Sequence, residues 1–177
     1  LICVEKGSHV TALKFDFSSQ QLSMLRSDHA GEIGAVNIYK GILWCAKDSA
    51  VVAFANAHLA VESRHLEAIE SILTPENRSI FSPLWVVAGL VLGVLAVAGG
   101  KNFLFSTIAG VEEFVVEHYE RQLPFFEGPV QELLIKMMSE EDTHREDATH
   151  RSSKRFALWD FLVKKGCSAA VSASSRF

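Results

Sequence analysis

The sequence predicts an all-α chain: a four-helix bundle of two helical hairpins, with an apolar crossover helix between them and a further helix at the C-terminus. Three observations predict it. Apolar residues recur every three or four positions, β-branched alternation is scarce, and the only prolines are Pro75, Pro83, Pro124 and Pro129, which leave long uninterrupted segments. The first helix runs from about Ser19 to Ala46 on the stripe Leu22, Leu25, His29, Glu32, Val36, Tyr39, Leu43, Ala46. Asp48 or Ser49 is suited to cap the second, whose stripe is Val52, Ala55, Leu59, Glu62, His65 (or Leu66), Ile69, Ile72, ending before Pro75. A third segment begins near Pro83-Leu84-Trp85, with proline at a helix start. The fourth helix, from about Asn102, carries Phe105, Ile108, Glu112, Val115, Tyr119 and Gln122. Pro124 and Gly128-Pro129 break the chain before the fifth, with Val130, Leu133, Met137, Glu141, His144 and Ala148. Residues 156–171 form a last amphipathic stretch.

Composition narrows the classes. With 177 residues the chain can build one domain with a sizeable core. Residues 1–18, which hold Glu5, Lys6 and Asp16 and no apolar run suited to a signal peptide, read as an N-terminal extension to a domain spanning 19–177. Apolar residues make up 49% and charged residues 21%, rich enough in apolar groups to suggest a surface facing lipid or a partner. A net charge of −4 argues against nucleic acid. Cys3, Cys45 and Cys167 are far apart and form no CxxC pair, so they read as small buried hydrophobes, not a disulfide framework or a sulfur-ligated metal site.

The informative fact is where the acids fall. Glu32, Glu62, Glu112 and Glu141, with His65 and His144, occupy positions that the stripes reserve for apolar residues. An unpaired charge in a bundle core costs several kcal/mol, on the order of 20 in the idealised dry limit. Four acids cannot be neutralised by two weakly basic imidazoles, whereas two divalent cations balance four carboxylates. Glu62-Ser-Arg-His65 and Glu141-Asp-Thr-His144 are both Glu-x-x-His, two ligands one turn apart on one face. A lone stripe glutamate precedes each, by 30 residues at Glu32 and by 29 at Glu112. If each pair is an antiparallel hairpin with its ligands level, the turns fall at Lys47 and at Phe126–Glu127, both beside turn signals. A single Glu-x-x-His is ordinarily a solvated pair, but two copies on apolar stripes with matched partners form the ligand plan of ferritin-like di-iron and di-manganese bundles.

Glu113 and Glu140 flank two of these positions and are alternatives to them. The stripe register favours Glu112 and the motif spacing favours Glu141. Mixed oxygen and imidazole ligands suit iron or manganese, and ligand type alone leaves zinc open. His29 and Tyr119 read first as hydrogen-bonded core residues. Asp28 and Asp147 are candidates to orient the ligand imidazoles.

From Ile80 to Gly100 no residue is charged. Pro83 cuts this stretch, and its best helical part, Trp85 to Ala98, is roughly 21 Å long, short of the ~30 Å hydrocarbon core. It reads as the crossover between the hairpins, lying either on a membrane face or buried in the protein, with Gly89, Gly93, Ala96 and Gly100 offering close helix contact. Either placement sets a greasy element beside a redox site and suits a lipid-like substrate.

Several strings together resemble the demethoxyubiquinone hydroxylase family of ubiquinone biosynthesis. They are Asp28-His-Ala-Gly-Glu32-Ile-Gly-Ala35 with Ile38-Tyr39 and Gly41, Glu62-Ser-Arg-His65-Leu, Pro83-Leu-Trp85, Gly99-Gly-Lys101, Val111-Glu-Glu113 with His118-Tyr119, Glu140-Glu-Asp-Thr-His144 and Gly166-Cys167. The Asp-His-Ala-Gly-Glu string is the distinctive one. The resemblance implies a monooxygenase that hydroxylates the open ring carbon of a methoxylated polyprenyl benzoquinol, using dioxygen and two iron ions per chain. It implies Glu32, Glu62, His65, Glu112, Glu141 and His144 as iron ligands, and His118 and Tyr119 as a nearby pair with a part in electron or proton delivery. It further implies a peripheral position on the cytoplasmic face of a bacterial inner membrane or the matrix side of a mitochondrial one. A complex with other proteins of ubiquinone biosynthesis and association with further copies of the chain are open expectations. Electrons would come from the quinol itself or from NADH, and without a Gly-rich fingerprint a bound nucleotide domain is not expected. Ile33 stands where the family usually has an aromatic residue and Asn102 where it has an acid, but no ligand position is lost. The rival readings are another ferritin-like activity (peroxidase, catalase or iron storage) and a membrane-bound helical scaffold with merely structural acids.

Overall fold

A computed structural model describes residues 15–176. Most of the expected N-terminal extension, residues 1–14 with Cys3, lies outside the described residues. Six helices follow one another: α1 (Ser19–Cys45), α2 (Ser49–Ile72), α3 (Ser82–Ala98), α4 (Lys101–Gln122), α5 (Gly128–Arg151) and α6 (Ala157–Ser174), with no strand among the described residues. Each boundary has a local cause. Ser18 opens α1 with a capping box: its hydroxyl accepts from Gln21 N–H at 3.2 Å, and its own N–H donates to Gln21 Oε1 at 2.9 Å. Asp48 caps α2 by accepting from the N–H groups of Ala50 and Val51. Pro83 and Pro129 sit in the first turns of α3 and α5, where a missing N–H costs nothing.

Helices α1, α2, α4 and α5 form the four-helix bundle, with the hairpins α1–α2 and α4–α5 closing at the residues expected. The crossover α3 runs along the later turns of α1 and returns the chain to the end where the first hairpin turns. Lys101, opening α4, pairs there with Asp48 at 2.6 Å. At the opposite end Gln21 Nε2 donates to Phe125 O, tying the start of α1 to the second hairpin's turn. Finally α6 runs back along α1 and α4, its start fixed by Trp159 Nε1 on Thr107 Oγ1 and its end by Trp85 Nε1 on Ser174 Oγ.

Apolar packing falls into two clusters. One gathers Tyr39, Ile42, Val51, Phe54, Leu104, Phe105 and Ile108 near the α1–α2 turn. The other gathers Leu25, Ile69, Leu73, Tyr119, Phe126, Leu134 and Met137 towards the far end. The buried glutamates lie between them. Packing also re-phases one expected stripe: α2 buries Val51, Phe54, His58, Glu62, His65 and Ile69, while Val52 and Leu59 are only half-buried. The two registers differ by one residue at the start of the helix, and the aromatic core chooses the one carrying Phe54. Cys45, expected to be buried, is exposed because it ends α1 at the turn.

Crossover α3 is neither fully buried nor free. Gly89, Gly93 and Ala96 are buried against α1, whereas Leu84, Val87, Val91 and Leu95 on its other side are about half exposed. A Cβ at Gly89 would strike the carbonyl of Gly34, one at Gly93 the carbonyl of Ile38, and one at Gly41 the carbonyl of Leu90. Backbone meets backbone here, so no side chain can yield. No helix among the described residues is long and apolar enough to cross a membrane. Replacing Gly93 with Val should therefore cost about 1–3 kcal/mol and lower the thermal midpoint by roughly 4–10 °C. Gly166→Ala, at a helix position with open space around it, should leave the midpoint unchanged or slightly higher. Equal midpoints for Gly93→Val and the wild type would refute this packing.

Candidate metal centre

All six ligand candidates from the sequence come together in the middle of the bundle, and all are buried. They divide into two groups of four, Glu32, Glu62, His65 and Glu141, and Glu62, Glu112, Glu141 and His144. Within each group, ligand atoms lie within 4.8 Å of one another. Glu62 and Glu141, the first residues of the two Glu-x-x-His motifs, belong to both groups, while Glu32 and Glu112 each belong to one.

Helix direction explains the grouping. On the antiparallel pair α2 and α5, each motif's histidine meets the other's glutamate: His65 Nδ1 is 2.8 Å from Glu141 Oε1, and His144 Nδ1 is 2.8 Å from Glu62 Oε1. On the antiparallel pair α1 and α4, each glutamate meets the other helix's tyrosine. Tyr119 O–H donates to Glu32 Oε1 at 2.6 Å, and Tyr39 O–H donates to Glu112 Oε1 at 2.8 Å. Both tyrosines stand seven residues after the glutamate of their own helix, so the two halves of the centre repeat one plan.

Each tyrosine satisfies one oxygen and leaves the other without a partner. Glu32 Oε2, Glu112 Oε2, both oxygens of Glu62, Glu141 Oε2 and His144 Nδ1 are buried with no well-aligned hydrogen bond, the 2.8 Å approach of His144 Nδ1 to Glu62 Oε1 included. Such atoms are costly unless something fills the space between them. Five carboxylate oxygens and an imidazole nitrogen facing a common centre are a hard, mixed O/N donor set, and they fit divalent transition-metal ions.

Electrostatics agree. Burial, then the neighbouring Glu141 charge, pushes the carboxyls of Glu32, Glu62 and Glu112 well above the ordinary range. Burial would lift Glu141 as well, but the close approach of His144 and the hydrogen bond with His65 outweigh it and hold that carboxyl at about 2. Burial opposes charging His65, yet its bond to Glu141 and the charges of Glu32 and Glu141 carry it up to about 9. His144 is raised for similar reasons. Without metal, protons hold the cluster together.

The neighbours differ from expectation in instructive ways. Asp28 and Asp147 do not orient the ligand imidazoles. Asp28 accepts from Gln122 Nε2 at 2.8 Å and lies 3.1 Å from His118 Nε2, while Asp147 faces His58 Nε2 at 3.1 Å. Asp28 stands one turn before Glu32 on the same face of α1, level with His118 and Gln122 of α4. The carboxylate that meets a ligand imidazole is Glu140, whose Oε2 is 2.7 Å from His65 Nε2. His118 joins neither ligand group. It sits on the flank of α4 with Phe114 stacked on it at 6.1 Å, bonded to Asp28, Ser27 and Gln122. His29 is a core residue, held between Glu70 and the N–H of Ser79. The sequence reading missed His58, whose ring packs 4.1 Å from that of His144 and which burial and the His144 charge push down to about 4. Its place four residues before Glu62 was the available signal.

Beside the centre, an apolar groove of about 430 Å³ opens between α1, α3, α4 and α6, lined by residues such as Ala30, Gly34, Trp85, Phe114, Trp159 and Cys167. Gly31 and Gly34 face open space there. Ala35 and Val115 on its wall follow Glu32 and Glu112 by three residues.

An all-α bundle whose core is a pair of shared carboxylate-imidazole groups that could hold metal defines a ferritin-like carboxylate protein. The chain belongs to the family described as ubiquinone biosynthesis protein COQ7, whose family model matches residues 19–174. Among its relatives is the NADPH-dependent 3-demethoxyubiquinone 3-hydroxylase, mitochondrial, of Caenorhabditis elegans, 27% identical over 98% of this chain and 97% of that protein. The protein of the same name from Mus musculus is 31% identical over 87% of this chain and 76% of its own length. The 3-demethoxyubiquinol 3-hydroxylase of Psychrobacter cryohalolentis is 32% identical over 79% of this chain and 68% of its own.

The raised groups set a pH dependence. Glu32, Glu62 and Glu112 bind protons more tightly folded than unfolded, so their contribution is complete at acid pH and fades as pH rises. The contribution of His65 is complete below 6.5 and is lost on the way to about 9. His58, held low, is neutral throughout that window. The metal-free protein should thus melt at progressively lower temperature from pH 6.5 to 9. A divalent cation at a fixed concentration, 100 times its Kd at pH 6.5, should add about 2.7 kcal/mol there and more at higher pH, where fewer protons compete for the ligands. A metal-free midpoint that rises across this window would contradict the assignment.

Proposed function

We propose that this chain is a 3-demethoxyubiquinol 3-hydroxylase, a di-iron monooxygenase that places one oxygen atom of dioxygen on the open ring carbon of a demethoxy polyprenyl benzoquinol. The observation that carries the reading is the pair of four-residue groups sharing Glu62 and Glu141, with their inward-facing unpartnered oxygens. Glu32, Glu62, Glu112, Glu141, His65 and His144 are the residues that would hold two iron ions. When bound, the iron pair supplies the redox chemistry that activates dioxygen.

The rest falls to the chain. The groove offers the quinol an apolar bed beside the centre, and two turns of small residues on α1, Ala30-Gly31 and Gly34-Ala35, leave it room. Tyr119 and Tyr39, kept protonated by burial and by Glu32 and Glu112, hold their protons on those carboxylates. His118, half-buried behind groove-lining Phe114 and bonded to Asp28, is our candidate for passing protons between solvent and the site. A storage protein or peroxidase has no use for such a groove. The worm and mouse relatives are NADPH-dependent by name, which favours an external nicotinamide reductant. The half-exposed α3 residues, with Leu158, Phe161 and Leu162 on α6, make an apolar face suited to rest on a membrane, where a polyprenyl quinol dissolves. A mitochondrial relative and a bacterial one support either setting for that membrane.

Iron-loaded protein given a demethoxy quinol, a reductant and ¹⁸O₂ should yield a product carrying one ¹⁸O atom, and chelation or Glu62→Gln should abolish it. Gly34→Leu, filling the groove without touching a ligand, should raise KM on the order of 10-fold with kcat largely kept. Quinol-independent peroxide consumption with no hydroxylated product would discard the reading.

A further inference from the structure

The two ligand groups share two glutamates, and each adds one glutamate steadied by a tyrosine. They differ only at the imidazoles. His65 turns Nδ1 into its group, 2.8 Å from Glu141 and 3.8 Å from both Glu32 and Glu62, while its Nε2 meets Glu140 at 2.7 Å. His144 also turns Nδ1 inward, 2.8 Å from Glu62 and 3.3 Å from Glu141. Among the described residues, no carboxylate meets its other nitrogen, and its ring lies against that of His58. His58 in turn spends its own bond on Asp147.

That difference has a chemical consequence. A histidine that donates its outer N–H to a carboxylate is fixed in one tautomer, with the inner lone pair free and the ring a stronger donor. Glu140 can do this for His65 with little competition: its other charged neighbour, Lys136, is 4.0 Å away and mostly exposed. We infer that Glu140 is a positioning residue for His65 and that it makes the position of Glu32, Glu62, His65 and Glu141 the tighter of two metal positions and the first to fill. This rests on the metal-centre reading above and deepens it.

The test uses the full chain and Co²⁺ alone, titrated anaerobically and followed by visible absorption and by paramagnetically shifted proton resonances. Wild-type protein should bind in two resolved steps. One shifted imidazole N–H, slow to exchange because Glu140 holds it, should appear with the first equivalent. Glu140→Gln keeps an acceptor oxygen but removes the charge. It should weaken the first step by roughly 10–100-fold, leave the second where it was, and speed exchange of that N–H. Glu140→Asp, which keeps the charge but withdraws it by one methylene, should fall between the two. Glu146→Gln makes the same charge change at an exposed site on α5 and should alter neither step. Because Glu140 also pairs with His65 in the metal-free protein, each titration is run well below the metal-free melting midpoint of that variant. Equal weakening of both steps by Glu140→Gln, no weakening, or the slow N–H arriving with the second equivalent would each overturn the inference. A wild-type chain that takes up no Co²⁺ would instead overturn the metal centre itself.

Discussion

Four glutamates and two histidines held out of water at one level of the bundle set the terms for everything else in this structure. Carboxylates so placed repel one another and lose their hydration, and two imidazoles cannot repay both costs. The fold answers with position. Two apolar clusters close above and below the polar layer, so the ligands cannot escape along the bundle axis. Two buried tyrosines take one oxygen each from Glu32 and Glu112, leaving the other oxygen aimed at the centre. Helix register does the remainder. A glutamate and a tyrosine seven residues apart lie on one face, and on two antiparallel helices such pairs meet crosswise, tyrosine to glutamate, at both ends of the layer.

Glycine serves two opposite purposes around this frame. At Gly41, Gly89 and Gly93 the missing side chain lets α3 lie backbone to backbone on α1, which fixes the crossover without a large apolar interlock. At Gly31 and Gly34 the missing side chain leaves a space that the protein keeps open. Gly31, Gly34 and Gly41 all belong to α1, whose other face carries Glu32. One helix thus holds a ligand on one side and the wall of the groove on the other, and anything lying in the groove is brought within a turn of the ligand layer.

Much of this was legible in the sequence, because periodicity reports which face of a helix is buried and polar residues on that face stand out. The helix order, both hairpin turns and the six residues brought together at the core followed from that rule. What it does not report is which residue sits opposite which. Asp28 and Asp147 are next to the ligands in the helical wheel, yet tertiary packing gives them His118 and His58 as partners. Glu140 read as a rival ligand because sequence spacing measures distance along its own helix, whereas its partner, His65, is on another. Tyr39 passed for an ordinary apolar position, although its spacing from Glu32 repeats that of Tyr119 from Glu112. His58 was lost to a one-residue choice of register in α2, settled only when Phe54 found Phe105 and Tyr39.

The polar contacts between α1 and α4 make a further point about rigidity. Asp28 meets His118 and Gln122, Glu32 meets Tyr119, and Glu112 meets Tyr39, which is one tie at almost every turn of the shared face. Apolar contact alone would tolerate sliding by a fraction of a turn, because side chains of similar size can re-pack. Hydrogen bonds between buried groups do not, since each displaced donor or acceptor would be left unsatisfied. The two helices that carry the single-glutamate ligands are also two of the four that wall the groove, so the same ties hold the ligand layer and that part of the groove in fixed relation.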